Sequence, residues 1–370
     1  MLCILYVMHK SALSRFVHIY FPPPRYLVLP AAGLEISTSS IKAIFLKEHR
    51  YGLEVASFDE KKLPKGAVAS GEIVEPEPVA EHLRELAKER GIKSAHIALP
   101  ESKSYLFETL VSGDSQEEWY TEVEQHIDEF VPLPPDEVSF DISPLHKIDD
   151  KTLVVGVGYA RKVVENVLRI IDDVNIEPRS LESETFASMR AILPADINET
   201  VMVVDIGKMT TKIVITERRL PRFATTLDVG GHALTEAVQK YFGVDEKEAR
   251  KVKMEHGIVS SGGNDDYIEA MLSTASVIRE EIKRRIDYWQ TRARTEKDCL
   301  TISRVLIVGG NATVRGFPEY FSSSFNLPVE LGDVFLNLAS RDTWLPTVDY
   351  SQSFAYATTI GLALRDYYDK

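Results

Sequence analysis

The chain has 370 residues, 44% of them hydrophobic, and its 43 Lys and Arg against 56 Asp and Glu give a net charge of −13. This length exceeds the size at which one hydrophobic core stops growing, so we expect two lobes, and the negative charge disfavours nucleic acid or anionic lipid as the main ligand. The two cysteines, Cys3 and Cys299, form neither a disulfide framework nor a metal-binding pair, which fits a reducing cytoplasm.

The first 26 residues predict a flexible N-terminal arm. Its apolar run MLCILYVM is too short to span a bilayer, and the positive residues follow it, which reverses the order found in signal peptides. We expect either an arm that begins at Met1 or a true start at Met8, with a membrane anchor as the less favoured alternative. The prolines of FPPPRY (21–26) act as a stiff spacer before the first strand.

After the arm, strand-like and helix-like segments alternate, which predicts an α/β fold. Each half of the chain begins with a strand, a polar turn and a second strand, which indicates an internal duplication. A stripe of apolar residues at helical spacing predicts a long helix over 274–292. The predicted units are a first lobe (27–102 and 176–200), an inserted α+β subdomain (103–175), a second lobe (201–230 and 301–370) and a helical or mixed subdomain (231–300).

The two polar turns are candidate phosphate sites. GLEISTSSIK (33–42) carries three consecutive hydroxyl residues and a lysine, and DIGKMTTK (205–212) carries a glycine and two threonines. Backbone N–H groups at such hairpin tips converge on anions, and a carboxylate just before each tip, Glu35 or Asp205, suits Mg²⁺ held through water. One polar turn is more often only a turn, but two opposed tips would grip a polyphosphate from both sides.

Two Gly-Gly turns follow strand-like segments. The strand RVLIV leads into Gly309 and Gly310, and we expect a helix directly after them, whose positive N-terminus would favour a ligand. A plain strand-to-helix turn explains this segment equally well, and the same two interpretations stay open for Gly230 and Gly231. The sequence contains no GxxxxGK[ST], GxSxG or HExxH motif and no CxxC pair.

The predicted insert contains the segment WYTEVEQHIDEFVPLPPDEV (119–138). Val123, Ile127 and Phe130 share one helical stripe, and Pro132 and Pro134 follow it. This pattern is typical of a helix that packs the insert's own core and ends at Phe130. A partner-binding groove is the second interpretation.

The order of these motifs resembles the actin, Hsp70 and sugar-kinase superfamily. Within it the chain is similar to the type IV pilus assembly protein PilM family, a relative of the cell-division protein FtsA. The resemblance runs from about Tyr26 to Leu364 and is carried by segments such as GLEISTSSIKAIFL, LDVGGHALTEAVQKYFGV and EEIKRRIDYWQTR. It implies an actin-like (ribonuclease H-like duplicated) two-lobed fold with an inserted α+β subdomain.

The resemblance implies that the cleft binds ATP or ADP with Mg²⁺, with slow hydrolysis at most and no identified catalytic residue. Asp205 and Glu35 would hold Mg²⁺ through water, and Glu184 is a weaker candidate. The residues implied to contact the nucleotide are Ser37, Thr38, Ser39, Ser40, Lys42, Gly207, Thr210, Thr211, Lys212, Gly230, Gly231, Lys283, Arg284, Gly309, Gly310 and Asn311. The family pattern Asp-Ile-Gly is replaced here by Glu35-Ile36-Ser37, so we expect weakened phosphate contact at the first turn.

The resemblance also implies partners. Proteins of this family hold the cytoplasmic tail of PilN, an inner-membrane protein, between the insert and the first lobe, which assigns Val123, Ile127, Phe130, Pro132 and Pro134 to partner binding. The C-terminal ALRDYYDK lacks the amphipathic membrane helix of FtsA, so association with the inner membrane would be indirect. The pilus motor ATPase is a further implied partner, and an FtsA-like polymerising protein or a small-molecule kinase stays open as an alternative function.

Overall fold

A computed structural model describes residues 30–259, 265–296, 299–340 and 342–368. The predicted N-terminal arm lies outside the described residues. Within these ranges, no helix combines the length and the apolar character that crossing a bilayer requires.

The secondary structure alternates as the sequence predicts. The strands are β1 (Ala32–Ile36), β2 (Ser40–His49), β3 (Gly52–Lys62), β4 (Val68–Ala69), β5 (Glu72–Ile73), β6 (Ser94–Leu99), β7 (Ser104–Val111), β8 (Val138–Ile148), β9 (Lys151–Ala160), β10 (Glu177–Ser183), β11 (Thr200–Ile206), β12 (Thr211–Glu217), β13 (Leu220–Leu227), β14 (Ile302–Val308) and β15 (Val329–Leu331). The helices are α1 (Pro76–Arg90), α2 (Gln116–Gln125), α3 (Ile127–Phe130), α4 (Arg161–Asp173), α5 (Glu184–Ile192), α6 (Gly231–Phe242), α7 (Glu246–His256), α8 (Asp265–Thr295), α9 (Phe317–Phe325), α10 (Tyr350–Ser353), α11 (Ala357–Ala363) and α12 (Arg365–Tyr368).

Two sheets of the described chain share one topology. The first has the order β3-β2-β1-β6-β10 and the second has the order β13-β12-β11-β14-β15. In each, three strands form an antiparallel meander and two more run parallel to the first strand of that meander. The central strands β11 and β14 are apolar runs because helices cover both of their faces. The predicted α/β class with an internal duplication is therefore confirmed.

The insert between β6 and β10 has a sheet of its own, in the order β7-β9-β8. Alternate residues of β9 face opposite sides, as strand geometry requires. Val155, Val157 and Tyr159 join the core of the first lobe, whereas Val154 packs against the helical side of the insert. The insert is therefore fused to the first lobe through one face of its sheet.

Two helices cross between the lobes. Helix α5 starts where β10 of the first sheet ends, and its residues Met189 and Ile192 lie in the core of the second lobe. Helix α11 follows the second lobe in the chain but packs against β1, β2 and β6 of the first sheet and against α5. These crossings join the two lobes through continuous backbone and shared cores.

The crossing helices approach each other and the first sheet at glycines. A Cβ atom on Gly33 of β1 would overlap the carbonyl oxygen of Thr359, and one on Gly361 of α11 would overlap that of Ala187. Glycine is required at both positions because backbone occupies the space of the missing side chain. The distance between the lobes is thus set by backbone contact.

A buried ion cluster closes the same junction. Glu182 Oε1 lies 2.5 Å from Arg190 Nη2, and Glu182 Oε2 lies 3.3 Å from Arg365 Nη1. Arg190 also donates to the carbonyl oxygen of Gly361 at 2.9 Å. Burial raises the pKa of Glu182, but the charge and hydrogen bond of Arg190, together with the charge of Arg365, outweigh this and keep the pKa below its usual value. Removing one partner would leave an uncompensated buried charge.

Two helices differ in length from the prediction. Helix α8 starts nine residues earlier than the predicted position 274, since Tyr267 and Met271 continue its buried stripe. The helix predicted to end at Phe130 is interrupted at His126, which ends α2 and precedes α3. Both differences reflect packing that a local pattern does not include.

The close contact between Gly361 and Ala187 predicts that a larger residue at position 361 destabilises the protein. Gly361→Ala should lower the free energy of unfolding by about 3 kcal/mol, because the new methyl group forces α11 away from α5. Urea unfolding measures the change. Gly310→Ala is the matched control, since the nearest atom to its added Cβ is Ala355 Cβ at 3.7 Å. Equal stability of the two variants would contradict the proposed backbone contact.

Candidate functional site

The two polar turns have the same construction. In the first, Ser37 N–H donates to Ser40 O at 2.9 Å, and in the second, Gly207 N–H donates to Thr210 O at 2.9 Å. Both turns continue antiparallel pairs in which a carboxylate faces a lysine across the strands, Glu35 opposite Lys42 and Asp205 opposite Lys212. The duplication therefore extends to the charged residues beside each tip.

The first turn is closed by its own serine. The Ser37 hydroxyl donates to Ser40 O at 2.9 Å and accepts from Ser40 N–H at 3.2 Å and, more weakly, from Ser39 N–H at 3.5 Å. The hydroxyl therefore takes N–H groups that the tip would otherwise present to an anion. Thr38 and Ser39 remain half-buried at the tip. The second turn, with Gly207 at the equivalent place, has no such obstruction.

The second turn is fixed from outside by the Gly230–Gly231 turn. Gly231 N–H donates to Gly207 O at 2.9 Å, and His232 N–H donates to Lys208 O at 2.8 Å. The buried Thr211 hydroxyl donates to Val229 O at 2.7 Å, so it braces the turn instead of facing the cleft. Helix α6 begins at Gly231, as the sequence predicts. Gly230 and Gly231 thus hold the backbone of the second turn in position.

Asn311 joins both glycine turns to the second tip. Its Nδ2 donates to Gly207 O at 2.8 Å, and its Oδ1 accepts from Lys253 Nζ at 2.7 Å. A Cβ on Gly231 would overlap the Asn311 amide. Asn311 is 7% exposed, and its side-chain amide forms hydrogen bonds with other residues of the protein. It therefore holds the second tip in position.

Lys253 is a residue of this site that the sequence prediction missed. Its Nζ, in a side chain that is 2% exposed overall, donates to Gly231 O at 3.0 Å, Thr235 Oγ1 at 3.1 Å and Asn311 Oδ1 at 2.7 Å. Burial among neutral acceptors lowers its pKa to about 7, and nearby Arg250 and Lys208 add to this. Lys253 lies in the charged helix EKEARKVKMEH, in which the other lysines, Lys247 and Lys251, are exposed. The local sequence therefore does not indicate that Lys253 is buried.

Charges from three elements meet between the two tips. Lys212 forms an ion pair with Glu184, the first residue of α5, and Lys42 Nζ lies 3.5 Å from Glu35 Oε1. Burial raises the pKa of Glu35, and Glu184 and Asp205 raise it further against the opposing effect of the lysines. The pKa of Lys212 is raised, because Glu184, Asp205 and Glu35 together outweigh its burial. The structure therefore brings Glu35 and Asp205 close enough to affect each other's charge, in the region between the two tips that we call the cleft.

The cleft suits a hydrated cation better than a directly bound one. Glu35 Oε2 is buried and has no hydrogen-bond partner within the described ranges, which leaves one carboxylate oxygen free to accept from water. Among the described residues, no group of three or more His, Cys, Asp or Glu side chains is arranged to hold a metal ion. A Mg²⁺ ion here would need water and phosphate oxygens to complete its octahedral shell.

Gly309 makes room for the second carboxylate. It has φ of +92°, and an added Cβ would overlap Asp205 Oδ1, so only glycine fits. The expectation that a helix follows Gly310 directly is wrong, because turns occupy 309–316 and α9 begins at Phe317, after Gly316 with φ of +89°. The exposed Gly310 lies at the rim of the cleft without a helix N-terminus behind it.

Lys283 and Arg284 are exposed on α8. Arg284 forms an ion pair with Glu281 on the same helix. Within the described ranges, no hydrogen bond or ion pair joins Lys283 or Arg284 to either tip. Thr210 is half-buried beside Gly207 at the second tip.

The candidate partner residues divide by burial. Val123 and Ile127 are each 1% exposed and belong to the core of the insert. Phe130 is partly buried and stacks on Phe107, with ring centroids 4.7 Å apart. Pro132 and Pro134 are exposed. A partner would therefore contact Phe130 and the prolines, while Val123 and Ile127 support that surface from beneath.

A family described as type IV pilus assembly protein PilM matches residues 33–367. The chain belongs to this family. The PilM family member described here is also similar to cell division protein FtsA from Neisseria meningitidis serogroup B (strain ATCC BAA-335 / MC58), with 24% identity over 191 residues. That match covers 47% of this chain and 46% of FtsA, so it spans about half of the relative.

Solved structures show the same fold as this PilM family member. The PilM-PilN type IV pilus biogenesis complex matches with a TM-score of 0.73 and 21% identity, over 93% of this chain and 99% of that one. MreB5 of Spiroplasma citri bound to ADP matches with a TM-score of 0.54 and 13% identity, over 92% and 97% of the two chains. The predicted actin-like two-lobed fold is confirmed.

The lowered pKa of Lys253 predicts how the free energy of unfolding depends on pH. The folded-state pKa of about 7 lies below the unfolded value near 10.4, so the unfolded chain binds more protons between these values and stability rises with pH. Between pH 7 and pH 9, the wild type should gain about 2 kcal/mol relative to Lys253→Met. Urea unfolding at both pH values measures this difference. The exposed neighbour Lys251, replaced by Met, should leave the pH dependence unchanged.

Proposed function

We propose that this PilM family protein is an adenine-nucleotide-binding scaffold for type IV pilus assembly that docks the cytoplasmic tail of a PilN-like inner-membrane protein. The observation that carries the proposal is the cleft between the two tips, where Glu35, Asp205, Glu184 and Lys212 interact. Family membership supplies the cellular process. The names of the solved relatives, a PilM-PilN complex and an ADP-bound MreB5, support the two ligands.

The second tip is the stronger half of the proposed phosphate site. Thr210 adds a half-buried hydroxyl at this tip, and Lys212 adds a positive charge that its neighbours keep ionised. Mg²⁺ would neutralise phosphate charge and would be held through water by Asp205 and Glu35. The exposed Gly310 leaves open backbone for a flat base at the rim.

Slow turnover is part of the proposal. Efficient hydrolysis needs a group that orients the attacking water, and Glu184, the nearest carboxylate on α5, is ion-paired with Lys212. The Ser37 hydroxyl also binds N–H groups of the first tip, so this tip must open to hold a phosphate. Both features favour a protein that binds the nucleotide and hydrolyses it slowly.

The surface of the insert favours a basic and apolar peptide. Phe130 and the exposed prolines supply apolar area. The exposed acidic residues around them are Glu124, Asp128, Glu129, Asp136 and Glu137. Cytoplasmic segments next to membrane helices are enriched in Lys and Arg, so the tail of an inner-membrane protein has complementary charge. Such a tail would place the protein at the cytoplasmic side of the inner membrane, where the pilus motor ATPase is a further candidate partner.

The nucleotide proposal predicts a Mg²⁺-dependent affinity for ATP. Asp205→Asn should weaken Mg-ATP binding at least tenfold, because it removes half of the water-mediated metal site. Isothermal titration with Mg²⁺ and with EDTA measures this. Asp196→Asn, an exposed aspartate before β11, is the control and should bind as the wild type does. Wild-type protein that binds neither ATP nor ADP would refute the proposal.

The partner proposal predicts that the insert surface binds a tail peptide. Asp128→Lys should weaken binding of a PilN-like tail peptide about tenfold, through lost charge complementarity, and Phe130→Ser should do so through lost apolar area. Fluorescence anisotropy with a labelled peptide measures both. Tyr51→Ser removes an aromatic ring that is 55% exposed outside the insert and should have no effect. Equal binding by all three variants would place the peptide elsewhere.

A further inference from the structure

Glu101 is a buried carboxylate at the junction of the first sheet, the insert and helix α5. It is 6% exposed and lies in the short turn Glu101–Lys103 between β6 and β7. Since β6 and β10 are parallel neighbours, their carboxyl ends meet at one edge of the sheet, with Ser183 paired to Leu99. The side chain of Glu101 is therefore next to the start of α5.

The Glu101 carboxylate fixes the first turn of α5. Its Oε2 accepts from Ser183 Oγ at 2.6 Å and from Thr185 Oγ1 at 2.5 Å, and these two residues flank Glu184. The backbone N–H of Glu101 points to Glu184 Oε2 at 3.4 Å. Ser183 Oγ also caps the helix by accepting from Thr185 N–H at 3.2 Å. Backbone and side chain of Glu101 thus act on the same turn.

The other oxygen of Glu101 faces the insert. Oε1 accepts from the hydroxyl of Ser104, the first residue of β7, at 2.7 Å. Ser104 pairs with Tyr159 across the sheet of the insert. The buried Tyr159 hydroxyl has its pKa raised by burial and by the charge of Glu101. One carboxylate therefore bridges the insert and α5.

The bridge continues to the cleft. Glu184 Oε2, which the Glu101 N–H approaches, is also the partner of Lys212, and Lys212 interacts with Asp205 and Glu35. Every link from Ser104 to Lys212 is a hydrogen bond or an ion pair. In a buried environment such links are strengthened and are costly to leave unpaired. A shift of β7 would therefore change the position of the Lys212 side chain.

We propose that Glu101 is a positioning residue that couples the inserted subdomain to the nucleotide site, by fixing the first turn of α5 and with it the Glu184 carboxylate. This inference depends on the proposed function in one respect, which is that the ligand of the cleft is an adenine nucleotide. A peptide that moves β7 would change nucleotide affinity through Ser104 and Glu101. Conversely, nucleotide contact with Lys212 would be transmitted to the insert, because coupling between two binding sites is reciprocal.

Matched serine variants in the full-length protein test the coupling. Ser104→Ala removes the hydroxyl through which the insert contacts the Glu101 carboxylate. Ser143→Ala removes a buried hydroxyl of β8 that has no hydrogen-bond partner within the described ranges. Ser104→Ala should weaken Mg-ATP binding about fivefold, whereas Ser143→Ala should change it less than twofold. Isothermal titration measures both affinities, and thermal unfolding reports their stability.

Glu101→Gln separates positioning from a general loss of packing. It keeps the shape of the side chain but replaces an acceptor oxygen by a donor, so we expect about tenfold weaker Mg-ATP binding. Adding Ser104→Ala to Glu101→Gln should weaken binding no further, because Ser104 acts through Glu101. Additive effects would show two independent disturbances and overturn the proposal. If Glu101→Gln does not fold, the serine pair still decides the question.

Amide hydrogen exchange provides a readout without nucleotide. Ser104→Ala should speed exchange at residues 184–188 of α5 relative to both wild type and Ser143→Ala. Equal exchange in the two serine variants would overturn the coupling even if ATP binds. Failure of wild-type protein to bind Mg-ATP would refute the proposed function, and faster exchange in Ser104→Ala alone would still support the role of Glu101.

Discussion

Backbone contact between the crossing helices and the first sheet is the constraint on which the rest of the structure depends. Gly33 and Gly361 let α11 lie directly on β1 and α5, and the buried Glu182–Arg190 pair closes the same junction. Because interiors are close-packed and resist deformation, this junction fixes how far apart the two sheets lie. The two hairpin tips belong to different sheets, so their separation follows from a contact made away from the cleft.

The cleft gathers carboxylates that repel one another. The charges of Glu35, Asp205 and Glu184 act on one another, and the positive charges of Lys42 and Lys212 oppose this repulsion. Such an arrangement is costly without a counter-ion, and natural proteins retain local conflicts of this kind mainly at functional sites. The second tip tolerates the cost because Asn311, Lys253 and the Gly230–Gly231 turn fix its backbone. The first tip is instead closed on its own Ser37, which makes the two halves of the duplicated site unequal.

The insert shares one core with the first lobe and has a second core of its own. Tyr159 and Val157 of β9 face the first lobe, while Val154 of the same strand faces the helical layer with Val123 and Ile127. A surface built on that layer is therefore joined to the first lobe through a single sheet. The polar contacts of Glu101 lie at the end of this sheet, at the edge that leads to α5. Packing and hydrogen bonding thus connect the same two regions.

The sequence alone determined the duplicated α/β plan, because alternating strands and helices and the repeated strand–polar turn–strand unit are local patterns. It also located Glu35, Asp205 and both tips, since a carboxylate, small residues and hydroxyls at a turn are visible in a short window. It placed Val123 and Ile127 at a helical spacing that fits a core as well as a groove, and only the three-dimensional packing showed that both are buried. Tertiary structure alone decided that Asn311 and Lys253 are braces, that the segment after Gly310 is not helical, and that Glu101 meets Ser104 and Thr185. These facts depend on contacts between residues far apart in the chain, and no local pattern of charge or hydrophobicity contains them.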